Sequence, residues 1–291
     1  LEFRDASKPA AVQILETKFE GGAHNCITLK GFVAASSKLK IIIESCSFTG
    51  GEKAQLRLIT LIPRSIKILF CNFSKCASES IFLDGCANYS IDDCNFSDIE
   101  SECLLVCGGR GSVRASNFNN CLSGIKIFGE TRRKMTNFGF GNSGLNDSNK
   151  IDITGCVLEN LRGAGVEVTD SMWIEFSMSK CKIQKCINGL LVKDFDQNFQ
   201  MKSLPTSTLK YTVDSSSFLS NRGCGIKLEN ISVQVILTKS EAKANTDYAV
   251  GVIGDLKQSI TISPDCKLQG AVQALPSYGH DNPEHQQCSL I

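Results

Sequence analysis

The sequence predicts an all-β fold, a single-stranded right-handed parallel β-helix of about ten coils with three short strands in each. Three observations predict it. A small residue followed two positions later by a large apolar one recurs along the chain, an alternating apolar pair precedes it, and a second pair follows it. Self-similarity at a period of 20 to 50 residues marks a solenoid, because one repeat alone cannot bury its apolar face.

The central element comes first. The small/x/large motif falls at Thr17/Phe19, Cys46/Phe48, Cys71/Phe73, Cys94/Phe96, Ser116/Phe118, Cys156/Leu158, Cys181/Ile183, Ser216/Phe218, Ser240/Ala242 and Cys266/Leu268. Most neighbours lie 22 to 29 residues apart. The gaps of 40 (Ser116 to Cys156) and 35 (Cys181 to Ser216) each hold one coil plus an insertion.

The preceding strand carries apolar residues five and three positions before the small one: Ile41/Ile43, Ile66/Ile68, Tyr89/Ile91, Ile151/Ile153, Phe176/Met178 and Tyr211/Val213. The third strand carries Ile81/Leu83, Leu104/Val106, Val166/Val168, Ile226/Leu228 and Val250/Val252. Alternation with period two puts one residue in and the next out. Because the same strand of every coil carries the same pattern, stacking equivalent strands in parallel buries every inward row and pairs the backbone. At about 4.8 Å per coil, ten coils make a rod of about 50 Å. The Leu/Asn spacing of a leucine-rich horseshoe is absent, and no coil shows a helical period.

These repeats resemble the parallel β-helix repeats of the pectate-lyase-like superfamily over roughly residues 11 to 275. That superfamily includes lyases, hydrolases, phage tailspikes and non-catalytic eukaryotic adaptors, so the resemblance implies a fold and leaves function open. The cysteine-rich coils are more similar in texture to the adaptor branch than to the enzymes.

Composition narrows the partners. Lys plus Arg (31) balances Asp plus Glu (30), which gives no basic footprint for nucleic acid. No apolar run approaches the roughly 18 to 20 residues of a membrane span. Fifteen cysteines, an odd number recurring at one place in the repeat, read as small core fillers and predict a reducing, cytoplasmic setting. Five Asn-x-Ser sequons, at Asn72, Asn88, Asn95, Asn146 and Asn230, point to the secreted alternative.

Polysaccharide enzymes of this fold need acids at matching outward positions on neighbouring coils, with carboxyls about 5 to 9.5 Å apart in the hydrolases. The outward position two before the small residue reads Glu44, Leu69, Asp92, Arg114, Thr154, Ser179, Asp214 and Thr238, so no two acids are adjacent. Asp92 and Arg114 are expected to form an exposed cross-strand ion pair, and Asp92 and Asp93 to face opposite sides of the strand unless the bend there rotates one. These three are the least implausible catalytic residues; none is assigned. Of the family's galacturonase signature, only Gly124-Ile125-Lys126 and Gly225-Ile226-Lys227 resemble a fragment. The three histidines, His24, His280 and His285, complete no cluster.

Cys71/Cys76, Cys181/Cys186 and Cys103/Cys107 have near-zinc spacing, but inward placement and the missing histidine argue against a metal, and no cofactor is expected. Asn72, Asn95 and Asn117 share one outward position and predict an amide ladder along the rod, with a sugar-binding stripe as the alternative.

The partner surface is expected on the third strand and the insertions beside it. Phe82 and Leu105 would form an outward apolar patch on neighbouring coils, covered by a chain segment or a protein. The insertions, 129 to 148 and 195 to 209, carry Arg132, Arg133, Phe138, Phe140, Phe199 and Lys202, basic and aromatic residues suited to an acidic protein or a glycan. Residues 1 to 275 form the β-helix and 276 to 291 a polar tail. The tail ends Cys288-Ser-Leu-Ile, a weak prenylation box that would bring a membrane into play if used. The expected function is a non-enzymatic scaffold or adaptor that presents one edge to a protein partner or assembly; the alternative is a carbohydrate-binding or carbohydrate-active β-helix.

Overall fold

The computed structural model describes residues 2–3, 11–31, 39–59, 65–128, 149–169, 174–194, 210–231, 233–254 and 259–275. Within them the chain winds as a parallel solenoid with three strands per coil, as the repeat predicts. The second strands, from Lys18–Glu20 and Ser47–Thr49 to Lys267–Leu268, form a ten-stranded sheet, one strand for each motif read from the sequence. First and third strands form a 19-stranded sheet. They join because two strands, Ile81–Asp92 and Glu102–Arg114, run unbroken from the third face of one coil into the first face of the next.

Register follows the motif. Phe48 pairs with Phe19 and Phe73, and Phe96 with Phe73 and Phe118. Their rings stack with centroids 4.7, 4.7, 5.0 and 4.6 Å apart, from Phe19 to Phe118. Such pairs contribute about 0.5–1.5 kcal/mol each beyond burial.

The corners explain the small residue. The residue just before it is left-handed in coil after coil: Ser45, Phe70, Asp93, Ala115, Gly155, Lys180, Ser215 and Lys239 all have positive φ. A second left-handed corner sits four residues after it, at Gly50, Lys75, Asp98, Asn120, Asn160, Lys185, Ser220 and Ala244. Each costs a non-glycine residue about 1–2 kcal/mol. Bonds to the next coil offset this: Ser45 N–H donates to the Leu69 carbonyl at 3.0 Å and Asp93 N–H to that of Arg114 at 3.1 Å.

The small side chain completes the corner. Cys71 Sγ donates to the Leu69 carbonyl at 3.2 Å, and Ser116 Oγ to that of Arg114 at 2.8 Å. Where the residue is serine, its oxygen also accepts the N–H of the neighbouring coil, from Cys94 at 3.1 Å and Cys181 at 3.2 Å. The cysteines are therefore hydrogen-bonding groups as well as fillers. Twelve of the fourteen described cysteines are buried and all fourteen are free thiols.

Candidate functional site

The outward row of the first strands stacks as the sequence predicts, with Asp92 between Leu69 and Arg114 and Asp214 between Ser179 and Thr238. Asp92 and Asp214 are four coils apart, about 19 Å at the usual strand spacing. That is well beyond the reach of a hydrolase dyad. Asp214 is held by the Thr238 hydroxyl at 2.7 Å and that of Ser215 at 3.0 Å, which lower its pKa.

At Asp92 and Asp93 the bend decides one expectation, and the other needs correction. Asp93 does not simply face the opposite side of a strand; it occupies the exposed left-handed corner, at φ 53. Asp92 and Arg114 are register partners, yet no ion pair joins them; Asp92 Oδ1 is buried without a hydrogen-bond partner, while Arg114 is exposed. Arg114 instead lines an open depression beside Asn88, Tyr89, Arg110, Lys150 and Asp152.

Local sequence builds this depression. Cys86 pairs with Gly109 and Tyr89 with Gly111, so Ala87 and Asn88 together face Arg110 and the strand bulges, with Asn88 left-handed at φ 56. Gly111 supplies no side chain, and the Tyr89 ring fills that space. The Tyr89 hydroxyl is buried with no hydrogen-bond partner, and burial, then the charges of Cys86 and Asp152, raise its pKa. Arg110 pairs with Lys150 across the coils, and Asp152 accepts a hydrogen bond from Ser177. The repeat hid this cluster: its residues sit where the apolar pair is interrupted by Gly111.

On the third face, the predicted open patch is closed. Leu105, Cys107 and Phe128 are only 5%, 7% and 8% exposed and pack with half-buried Phe82, while the Arg57 guanidinium lies 5.1 Å from the Phe82 ring and Lys126 Nζ 5.3 Å from that of Phe128. Leu105 is thus buried and Phe82 half-buried beneath the Arg57 guanidinium, so the two do not form the open outward patch expected of them. Beyond them runs a rail of alternating charge: Lys126 bonds Glu102 at 2.9 Å and approaches Glu167 at 3.9 Å, and Lys193 bonds Glu167 at 2.8 Å.

The predicted amide ladder is present. Asn95 Nδ2 donates to Asn72 Oδ1 at 3.1 Å and Asn117 Nδ2 to Asn95 Oδ1 at 2.9 Å. Among the described residues no group of three His, Cys, Asp or Glu could hold a metal ion. Cys103 lies in the central core and Cys107 in the outer cluster. Arg132, Arg133, Phe138, Phe140, Phe199, Lys202 and Cys288 lie outside the described residues.

Sequence reasoning missed one feature of the edge between second and third strands. The residues that follow inward Cys121, Leu161, Cys186 and Asn221 are Leu122, Arg162, Ile187 and Arg222, on four consecutive coils. All four are exposed; Leu122 and Ile187 are 38% and 44% accessible, and Arg222 is pinned to the Leu161 carbonyl at 3.1 Å. The signal was present as one position past an inward residue.

The fold is a right-handed parallel β-helix. Residues 58–202 match the family model of the right-handed beta helix region. No curated protein matches the sequence. Solved structures similar to it include the alginate lyase of Paenibacillus sp. str. FPU-7, at 13% identity over 91% of this chain and 93% of that one, with a TM-score of 0.45. A rhamnogalacturonan lyase is similar at 10% identity over 92% and 77%, also with a TM-score of 0.45. The catalytic domain of a GH87 alpha-1,3-glucanase in complex with nigerose is similar at 12% identity over 90% and 65%, with a TM-score of 0.39.

Proposed function

We propose that this chain is a non-enzymatic scaffold whose solenoid edge holds a protein partner. The observation that carries this reading is the exposed stripe Leu122, Arg162, Ile187, Arg222. Exposed aliphatic groups alternate there with guanidinium groups on a rigid corner. Arginine is enriched where interfaces concentrate their binding energy, and isolated apolar side chains gain by burial. A partner that places carboxylates between apolar anchors complements this spacing. The wide separation of Asp92 and Asp214 supports binding over acid–base chemistry.

The scaffold works in a reducing, cytoplasmic setting in this reading. Two supports are independent of each other: the described cysteines are free thiols, and the sequon residue Asn95 uses in the ladder the same amide nitrogen that glycosylation would occupy.

The test is photo-crosslinking in living cells with a crosslinker placed at Ile187, or at Lys18 on the second-strand sheet as control. A protein captured from position 187 and not from 18, and lost in Leu122→Glu/Arg162→Glu, supports the edge. Equal capture from both positions, or capture untouched by the double substitution at unchanged melting temperature, removes it.

A further inference from the structure

We infer that the partner segment held at the edge proposed above is an amphipathic α-helix lying along the rod axis, with apolar residues at i and i+7 and carboxylates at i+3 and i+10; this rests on that edge being a partner surface and names its occupant. The N–H groups of Leu122, Arg162, Ile187 and Arg222 already donate to the preceding coil, at 2.9, 2.9, 2.8 and 2.8 Å. The stripe therefore has no backbone donor to offer an added strand, and recognition falls to its side chains.

Spacing selects the conformation. At about 4.8 Å per coil, Arg162, Ile187 and Arg222 stand about 4.8, 9.6 and 14.4 Å along the rod from Leu122. A helix rising about 1.5 Å per residue brings i+3, i+7 and i+10 to about 4.5, 10.5 and 15.0 Å on one face, so all four levels are met within about 1 Å. An extended strand presents a same-face residue only about every 6.7 Å and loses register by the second coil. A polyproline helix repeats about every 9.3 Å and meets every second level, which leaves either the aliphatic or the guanidinium groups without a counterpart.

The surface beside the stripe is low enough for a helix to lie on. On its third-strand side the next residues are Ser123, Gly163, Asn188 and Gly223. Two of these have no side chain, Ser123 is 7% exposed, and Asn188 Oδ1 turns in to accept the Cys224 N–H at 3.1 Å. Small residues on one side and anchors on the other let a helix backbone approach closely.

Charge sets the polar positions and the direction. Among the described residues neither Arg162 nor Arg222 is held in an ion pair, and Arg222 bonds the Leu161 carbonyl at 3.1 Å. Exposed Lys185 adds a third cation; of the nearby acids, Glu159 already accepts Gln184 Nε2 at 2.6 Å and Asp247 stands one coil past Arg222. Carboxylates at i+3 and i+10 meet the two guanidinium groups. On the coil before Leu122, Asp98 and Glu100 are exposed, the former taken by Asn120 Nδ2 at 2.6 Å. The positive end of a helix dipole suits Glu100 and the negative end suits Arg222, so the helix runs from Glu100 towards Arg222.

The experiment titrates the full chain with fluorescent stapled peptides of about five turns, read by anisotropy. The peptide with Leu at i and i+7 and Glu at i+3 and i+10 should bind saturably. An isomer of the same composition with these residues scattered round the helix, and a proline-broken version, should bind about tenfold or more weakly. Arg162→Glu should weaken the first peptide to a similar degree and regain binding when its i+3 residue is Lys, which also shows that the variant is folded. Lys182→Gln on the second-strand sheet should bind as wild type does. A photoreactive group at the peptide N-terminus should mark residues 98–101 and one at the C-terminus residues near Arg222; the reverse marking overturns the direction. No saturable binding by any stapled peptide, equal binding by the proline-broken one, or indifference to Arg162→Glu overturns the helix. Capture from position 187 in cells that persists in any of these cases leaves the edge standing with a different occupant, whereas loss of that capture removes the edge itself.

Discussion

The ring of Tyr89 lies against Gly111 on the next coil, where a Cβ would stand 2.3 Å from two ring carbons. Neighbouring coils fill that inward position with Ile66 and Ile151. One coil therefore holds an oversized side chain and the next none, and the pair conserves volume.

Gly111→Ala breaks this balance. Overpacking costs about 1–3 kcal/mol, and the expected loss lies at the upper end because the ring is enclosed. Tyr89→Ile should restore most of it by giving both coils ordinary side chains. A double-mutant cycle by urea denaturation measures the coupling; equal cost of Gly111→Ala with Tyr or Ile at 89 would refute it.

Ala115 and Gly155 occupy the same left-handed corner on adjacent coils, at φ 47 and φ 65. A Cβ on Gly155 would meet nothing nearer than the Ala115 nitrogen at 4.0 Å, so its substitution reports backbone conformation without a clash. Gly155→Ala should cost about 1 kcal/mol and Ala115→Gly should gain a little less, since glycine adds unfolded-state entropy. Changes of the same sign in both variants would contradict this.

Much of the fold was legible because the Cys-x-Phe motif couples two requirements at one address: a small hydrogen-bonding group at the corner and a ring in the stack. The amide ladder of Asn72, Asn95 and Asn117 was legible for the same reason, since equal positions in the repeat become neighbours. The contacts of Asp92 and Leu105 were not. Register says which Cα atoms face each other, whereas Arg114 had a choice between Asp92 and the depression. The depression arises where the repeat is broken, by the Asn88 bulge and Gly111, and pattern matching passes over breaks.

The buried thiols give a third prediction. Burial pushes the Cys186 thiol up to about 12, and contact with Cys71 together with burial holds Cys94 far above its usual range. Among the described cysteines, only half-buried Cys26 and Cys266 should react with iodoacetamide at pH 8 in the native state. Mass spectrometry after a brief pulse checks this. Modification of Cys94 before global unfolding would show that the coils open locally.

The same corner sets what Cys94 tolerates. Cys94→Ser should change stability by less than about 1 kcal/mol, because Ser116, Ser216 and Ser240 already fill equivalent corners and donate to the carbonyls of Arg114, Asp214 and Thr238 at 2.8, 2.9 and 2.8 Å. Cys94→Val removes the donor and adds bulk, with an expected loss of about 1–3 kcal/mol. Thermal melts that rank valine at or above serine would mean the corner bond is immaterial.

The charge rail predicts a pH dependence. Burial acts to raise the Glu102 pKa, but hydrogen bonds from Ser101 at 2.6 Å and Lys126 at 2.9 Å outweigh it and leave the folded-state value lowered. A carboxyl depressed on folding contributes stability that is fully present above its unfolded pKa, about 4.3, and lost as pH falls through the folded value. Lys126→Met should therefore cost about 1–3 kcal/mol at pH 7, where it strands Glu102 and weakens the pairing of buried Glu167. At pH 3 Glu102 moves toward the protonated state and needs the cation less, so the penalty should shrink. Urea unfolding of wild type and variant at the two pH values decides the matter: a penalty equal at both would assign Lys126 a packing role over Phe128, where its ammonium also lies.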